Sequence, residues 1–143
     1  MSEHLTNVVV VALIHDQQGR IFMARRAATK TTFPDQFELV GGHIDPGEQP
    51  VEALKREIKE EIGVDIIIKR IVDAFTYESE GMFKVEICYL CTLANPAVQP
   101  VLNPADHSEA KWITADEISL IEKEDEETEV LRKAFKILEG AAV

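Results

Sequence analysis

Positive charge is scarce in this chain. Fifteen lysines and arginines stand against 26 aspartates and glutamates, a formal net charge of −11. Binding to nucleic-acid polymers or anionic membranes needs a basic footprint, so neither partner is expected. A small phosphorylated ligand stays open, because a bound metal ion inverts the local charge. Long apolar runs are missing as well. The longest near the start, residues 8–14, is too short to span a bilayer. It has no basic flank and no cleavage-like site, so a signal peptide is not expected. Cysteine is almost absent: Cys88 and Cys91 are the only two. Their C-x-x-C spacing can mean metal or redox chemistry. Here they sit in an alternating β-branched and aromatic run, 83–93, and three residues apart on a strand they point to opposite faces. Two buried thiols in a reducing compartment, and hence a cytoplasmic protein, are expected. Internal repeats and linkers are also lacking, and 143 residues fit a single domain, 1–143.

What is present reads as one α/β unit with a mixed sheet. Residues 8–14 and 21–24 flank a polar turn and read as a hairpin. Residues 27–35 form a polar loop with Phe33-Pro34, and 37–40 a short strand feeding Gly41-Gly42. Asp45-Pro46-Gly47 is a turn. Pro50 suits the first turn of a helix and Gly63 its stop. Residues 64–71, 74–77 and 83–93 read as strands, 95–104 as a proline-punctuated loop, and 110–113 as a short strand carrying Trp112, which is assigned to the core. A helical turn opens at Asp116. A last helix covers about 127–138, with Val130, Leu131, Ala134, Phe135 and Leu138 on one face. The acidic run 122–129 reads as a solvated face.

The helix 50–62 resolves face by face. At about 100° per residue, Val51, Leu54, Ile58 and Ile62 stack into an apolar stripe. Glu57, Glu60 and Glu61 fall on a neighbouring stripe, while Lys55 and Lys59 lie on the other side. Three acids within little more than a turn repel one another unless something positive compensates. Hard divalent cations take such oxygen ligands together with water and phosphate.

The spacing around these acids is more specific. Gly42, five residues, Glu48, seven residues, then Arg56-Glu57-Ile58-Lys59-Glu60-Glu61-Ile62-Gly63-Val64 resembles the Nudix box at each fixed position. The box, 42–64, covers about a sixth of the chain. The resemblance implies the Nudix fold, an α/β/α sandwich around a mixed sheet. It also implies a MutT-like hydrolase that cleaves a nucleoside diphosphate linked to another moiety.

Pyrophosphate repels an attacking hydroxide, and Mg2+, or Mn2+ in its place, neutralises that charge and acidifies a bound water. Glu60 and Glu61 are the first candidates for metal ligands, with the Gly41 carbonyl, expected at the loop–helix junction, as a third. Glu57 is another ligand or the general base, a role that Glu60 can also take. Arg56 is expected to orient Glu57 or to pair with Glu48. Gly42 and Gly47 are read as tight bends.

Outside the box, Arg25 and Arg26 are candidates for phosphate contacts, and Phe37 for stacking on a base, with core packing as its other reading. Glu109 is a candidate metal ligand or base, with Glu78 and Glu80 competing for that role. His43 and His107 receive no role. The proline- and tryptophan-containing motif of the family's NADH-hydrolysing members is absent. So are the downstream proline of ADP-ribose hydrolases and tyrosine of dinucleoside polyphosphate hydrolases: Glu80, Gly81 and Met82 occupy that region. A nucleoside or deoxynucleoside triphosphate, including an oxidised one, is the favoured substrate. ADP-sugar or dinucleoside polyphosphate hydrolysis is the alternative, and a nucleotide-sensing module without turnover a more distant one. Homodimers are common in the family, but nothing in the sequence marks an interface.

Overall fold

The computed structural model describes residues 6–121 and 124–140. Its centre is β1 (Thr6–Ile14), which pairs antiparallel with β4 (Val40–His43) on one edge and parallel with β6 (Met82–Leu93) on the other. β5 (Ile66–Ser79) extends this sheet to the order β4-β1-β6-β5. A second sheet holds β2 (Ile21–Arg26) between β3 (Phe37–Glu38) and β7 (His107–Ile113). Helix α1 (Pro50–Ile62), a 3-10 turn (Ala115–Ile121) and α2 (Glu126–Leu138) complete the chain.

β1 is apolar at nearly every position because both of its faces are covered, as strands between two helical layers require. Val10, Ala12 and Ile14 join the core under α1, while Val9, Val11 and Leu13 join the core under α2. α1 contributes Ala53, Leu54, Ile58 and Ile62, all fully buried. Each large apolar side chain buried this way stabilises the fold by about 1.5–3 kcal/mol. α2 contributes Val130, Leu131, Ala134 and Phe135 on the other side. The result is the α/β/α sandwich expected from the sequence. Cys88 belongs to one core and Cys91 to the other, both as free thiols, as their parity on β6 requires. Trp112 packs edge-on against Phe22, ring centroids 5.2 Å apart.

Three sequence expectations need correction. β1 and β2 are not a hairpin: only the isolated bridge His15–Ile21 joins them. Both edges of β1 are already taken by β4 and β6, so β2 crosses to the second sheet. Residues 37–40 are not one strand. The chain changes sheets at Leu39, leaving β3 in one and β4 in the other. Finally, the two strands expected at 64–71 and 74–77 are the single long β5, with register shifts at Ile68/Arg70 and Ile71/Asp73. Such bulges invert the inside–outside alternation, which makes one strand read as two.

Among the described residues, no helix is long and apolar enough to cross a membrane. Glu122 and Lys123 of the acidic run lie outside the described residues.

Candidate active site

One face of the larger sheet is not covered by a helix along its whole length. There Gly41 and His43 of β4, Val9 and Val11 of β1, Lys84 and Glu86 of β6, and Phe75 and Tyr77 of β5 line a cavity of about 590 Å3. Strand register sets this row: Val9 faces both His43 and Glu86, Phe75 faces Glu86, and Tyr77 faces Lys84. Glu38 and the loop 27–36 close one side, with Arg26, Thr32 and Phe33 among the lining residues. Asp125, Glu126 and Glu127 at the start of α2 close another. That part of the acidic run is therefore cleft wall, with Asp125 and Glu126 still exposed to solvent as expected. Glu127 Oε1 also accepts from the Leu39 amide at 3.4 Å.

The glutamate helix reaches this cavity around the β4 edge. Its apolar stripe packs with Val10, Ala12 and Val40 on the far side of the sheet, and the acidic stripe emerges beside β4. The three glutamates end in different surroundings. Glu61 lines the cavity and accepts the Gly41 N–H at 2.9 Å. Burial, and then the negative charges of Glu38, Glu57 and Asp106, push its carboxyl up to about 9. Glu57 is also shifted upward, chiefly by burial, although Arg56 Nη1 donates to it at 3.0 Å. Glu60 is exposed and accepts from the same guanidinium at 3.3 Å.

Gly41 stands within β4, not at a loop–helix junction. A Cβ there would fall 2.0 Å from the Val10 carbonyl oxygen. Gly42 is likewise strand and not a bend. Its lack of a side chain admits the Glu57 carboxylate, 2.4 Å from where a Cβ would lie. Gly47 does turn the chain, at φ +86°.

Arg56 fills both roles that the sequence offered as alternatives. Its fork grips Glu48, Nε to Oε2 at 2.7 Å and Nη2 to Oε1 at 2.8 Å. It also reaches Glu57, Glu60 and the His43 carbonyl. The pairing holds the Glu48 carboxyl down at about 2. Loop, helix and β4 are thus joined through one planar cation, a geometry that lysine does not reproduce.

Outside the box the structure redistributes the candidates. Phe37 is buried in the α2-side core, with Arg25 stacked 4.8 Å above its ring. Arg25 faces Glu109 across β2 and β7, with 3.5 Å between Nε and Oε2. Arg25, Phe37 and Glu109 therefore form a small cluster on the second sheet, and none of the three lines the cavity. Successive strand residues point to opposite faces, so Glu38 reaches the cleft where Phe37 does not. Glu78 and Glu80, the competing acids, do line it. Arg26 lines it too, but its guanidinium is committed to both Glu38 oxygens at 3.3 Å and to the Thr32 carbonyl at 2.8 Å.

Several cleft residues had no sequence signal strong enough to select them. Glu38 is held from behind by His107, almost wholly buried, whose Nε2 lies 2.9 Å from Oε2. His43 Nε2 lies 3.2 Å from Lys84 Nζ, and burial together with Lys84 lowers the His43 pKa. Lys84 and Glu86 carried a faint signal: both stand at the parity of β6 that turns apolar at Cys88 and Leu90.

As arranged, no three histidine, cysteine or acidic side chains among the described residues converge on one metal point. The chemistry of the donor set nevertheless suits a hard divalent cation: all its donors are oxygens. Glu61, a half-buried carboxylate crowded by the acids Glu38, Glu57 and Asp106, would also gain countercharge from such an ion.

The family model of the NUDIX domain matches residues 5–135. A Nudix hydrolase of Deinococcus radiodurans is 32% identical over 117 residues, 77% of this chain and 64% of that protein, so the match spans less than two thirds of the relative. The nucleoside triphosphatase NudI of Enterobacter sp. (strain 638) is 27% identical over 127 residues, 79% of this chain and 86% of its own length. Among solved structures, the MutT protein of Methanosarcina mazei Go1 superposes with a TM-score of 0.79 at 22% identity, covering 98% of this chain and 97% of that one. With the glutamate helix, its glycine contacts and the arginine fork all in place, this chain belongs to the NUDIX family of hydrolases, which act on acid anhydrides.

Proposed function

We propose that the protein is a Mg2+-dependent pyrophosphohydrolase whose substrate is a nucleoside or deoxynucleoside triphosphate, oxidised forms included. The products are a nucleoside monophosphate and pyrophosphate. The observation that carries this reading is Glu61, half-buried at the cleft, held by the Gly41 amide and crowded by the acids Glu38, Glu57 and Asp106. Glu57, Glu60 and Glu61, with the Gly41 carbonyl, would hold the ion, and Mn2+ satisfies the same oxygen donors. The bound ion supplies charge neutralisation at the phosphates and a more acidic water.

The chain's own residues do the rest. Arg56 orients Glu57 and Glu60 while anchoring the loop through Glu48. Glu57, half-buried, or Glu60, exposed, takes the proton from the attacking water. Lys84 offers positive charge to the phosphate chain. Of the lysine and arginine side chains lining the cleft, Arg26 is engaged by Glu38, whereas Lys84 has no carboxylate partner among the described residues. Glu109, tied to Arg25 on the second sheet, has no part in this scheme. Two free buried thiols fit the cytoplasm.

The similarity to NudI supports the triphosphate reading over ADP-sugars and dinucleoside polyphosphates, and the intact glutamate set supports turnover over sensing. The test is a panel of triphosphates, ADP-sugars and dinucleoside polyphosphates with Mg2+, read by products as well as rates. Monophosphate and pyrophosphate from a triphosphate are expected. Wild-type-like turnover after both Glu60→Gln and Glu61→Gln would remove the assignment.

A further inference from the structure

The loop between β2 and β3 presents a side chain that the hydrolytic scheme leaves unused. Phe33 is 55% exposed and lines the cavity. Its backbone sits at φ +49°, a left-handed conformation that bulky side chains seldom adopt. The following Pro34 further restricts the residue before it, favouring extended backbone there. An aromatic ring held toward water by an unfavourable backbone needs something to fix it in place.

The fixing contacts are visible. Arg26 bonds the loop at both ends, its Nε donating to the Thr32 carbonyl at 2.8 Å and its carbonyl accepting the Asp35 N–H at 3.1 Å. The Thr32 hydroxyl donates to Glu80 at 2.5 Å, strapping the loop across to the β5–β6 turn. The loop and β5 therefore bound the same cavity. On β5 the lining includes Phe75 and Tyr77, whose rings lie 5.9 Å apart. Phosphates have no use for aromatic walls, and a planar heterocycle does.

We propose that Phe33 is the nucleobase-stacking residue of the cleft, laying its ring on the base above the aromatic wall of β5. This rests on the nucleotide reading above, and it gives Phe33 the role the sequence had suggested for Phe37. Stacking on an aromatic ring tolerates any base, because each has a π-face. Phe33 therefore sets affinity for nucleotides as a class over base-free polyphosphates.

The experiment compares wild type with Phe33→Ala, Phe33→Trp and Phe33→Gly. It uses steady-state kinetics on a nucleoside triphosphate, inhibition by inorganic tripolyphosphate, and titration calorimetry with both. Phe33→Ala should raise KM about ten- to a hundredfold with kcat nearly unchanged. Inhibition by tripolyphosphate, which has no base, should not move. Phe33→Trp should restore KM, and Phe33→Gly should melt no lower than wild type while binding nucleotide as poorly as Phe33→Ala. An unchanged KM in Phe33→Ala, or an equal loss for tripolyphosphate, would overturn the proposal. Base-dependent calorimetric binding that Phe33→Ala abolishes, in a wild type without turnover, would uphold the stacking and remove only the hydrolytic reading.

Discussion

The Glu57 carboxylate lies against Gly42, so that a Cβ on the glycine would sit 2.4 Å from the Glu57 carboxyl carbon. Helix α1 and the edge strand β4 meet there with nothing between an acid and a backbone. Gly42→Ala must push that carboxylate aside, and because the obstacle is the end of a flexible side chain, the fold survives. We expect kcat/KM to fall by about tenfold or more, equivalent to a loss of at least about 1.4 kcal/mol of transition-state stabilisation, with little change in the urea midpoint. Gly47→Ala should do the reverse. At φ +86° it strains the turn and lowers stability by about 1 kcal/mol, and it leaves Glu57 where it is.

Glu48 gives the acid side of the stability profile. Its carboxyl is lowered from 4.5 to about 2, first by the Arg56 hydrogen bonds. A depressed carboxyl contributes stability above its unfolded pKa and loses it as the pH falls through the folded value. Wild type should therefore melt higher than Glu48→Gln at pH 7, and the two curves should converge between about pH 4.5 and pH 2. A gap that persists at pH 2 would mean that packing, not charge, is what Glu48 supplies.

Metal should stabilise the fold through Glu61. An ion held by the native cleft and not by the unfolded chain stabilises the fold, so the proposed function predicts that thermal unfolding shifts upward with Mg2+ concentration and returns on adding EDTA. Glu61→Gln should flatten this response and reduce kcat by orders of magnitude. Glu109→Gln should leave both unaltered, because Glu109 stands outside the cleft with Arg25.

Removing Lys84 should weaken substrate capture without touching the carboxylates. Lys84→Ala is expected to raise KM for a triphosphate about tenfold, in keeping with the loss of one charge-assisted contact. Lys84→Arg should retain most of the affinity. Unchanged KM values across an ionic-strength series would deny Lys84 any phosphate contact.

His107 supports Glu38 from inside the protein. The ring is nearly inaccessible, its Nε2 meets Glu38 at 2.9 Å, and its Nδ1 has no partner among the described residues. His107→Leu keeps the bulk but removes one of the two partners of Glu38, leaving it to Arg26. We expect a loss of about 1–3 kcal/mol in urea unfolding. The effect on kcat should be smaller than that of Glu61→Gln.

Local periodicity made much of this protein legible. The helix bounds at Pro50 and Ile62, its apolar stripe, the opposite-facing thiols of Cys88 and Cys91, and the amphipathic α2 all follow from which residues share a face. That is a property of backbone geometry alone. The spacing from Gly42 to Val64 was equally informative, because a loop and a helix that are adjacent in sequence need no distant partner to be recognised.

Elsewhere the sequence states parity but not pairing. It places Phe37 and Glu38 on opposite faces of a strand, yet only the sheet switch at Leu39 makes Glu38 the cleft residue and Phe37 the core one. It shows Arg25 beside Arg26, and only the β2–β7 register ties the first to Glu109. Acids as far apart as Glu38, Glu86 and Glu127 line one cavity because β1 has just two edges, both occupied, which forces β2 and β3 into a second sheet beside it. The acidic box and its spacing belong to the sequence. The choice of which side chains face the substrate belongs to the competition for sheet edges, settled only when the whole chain packs.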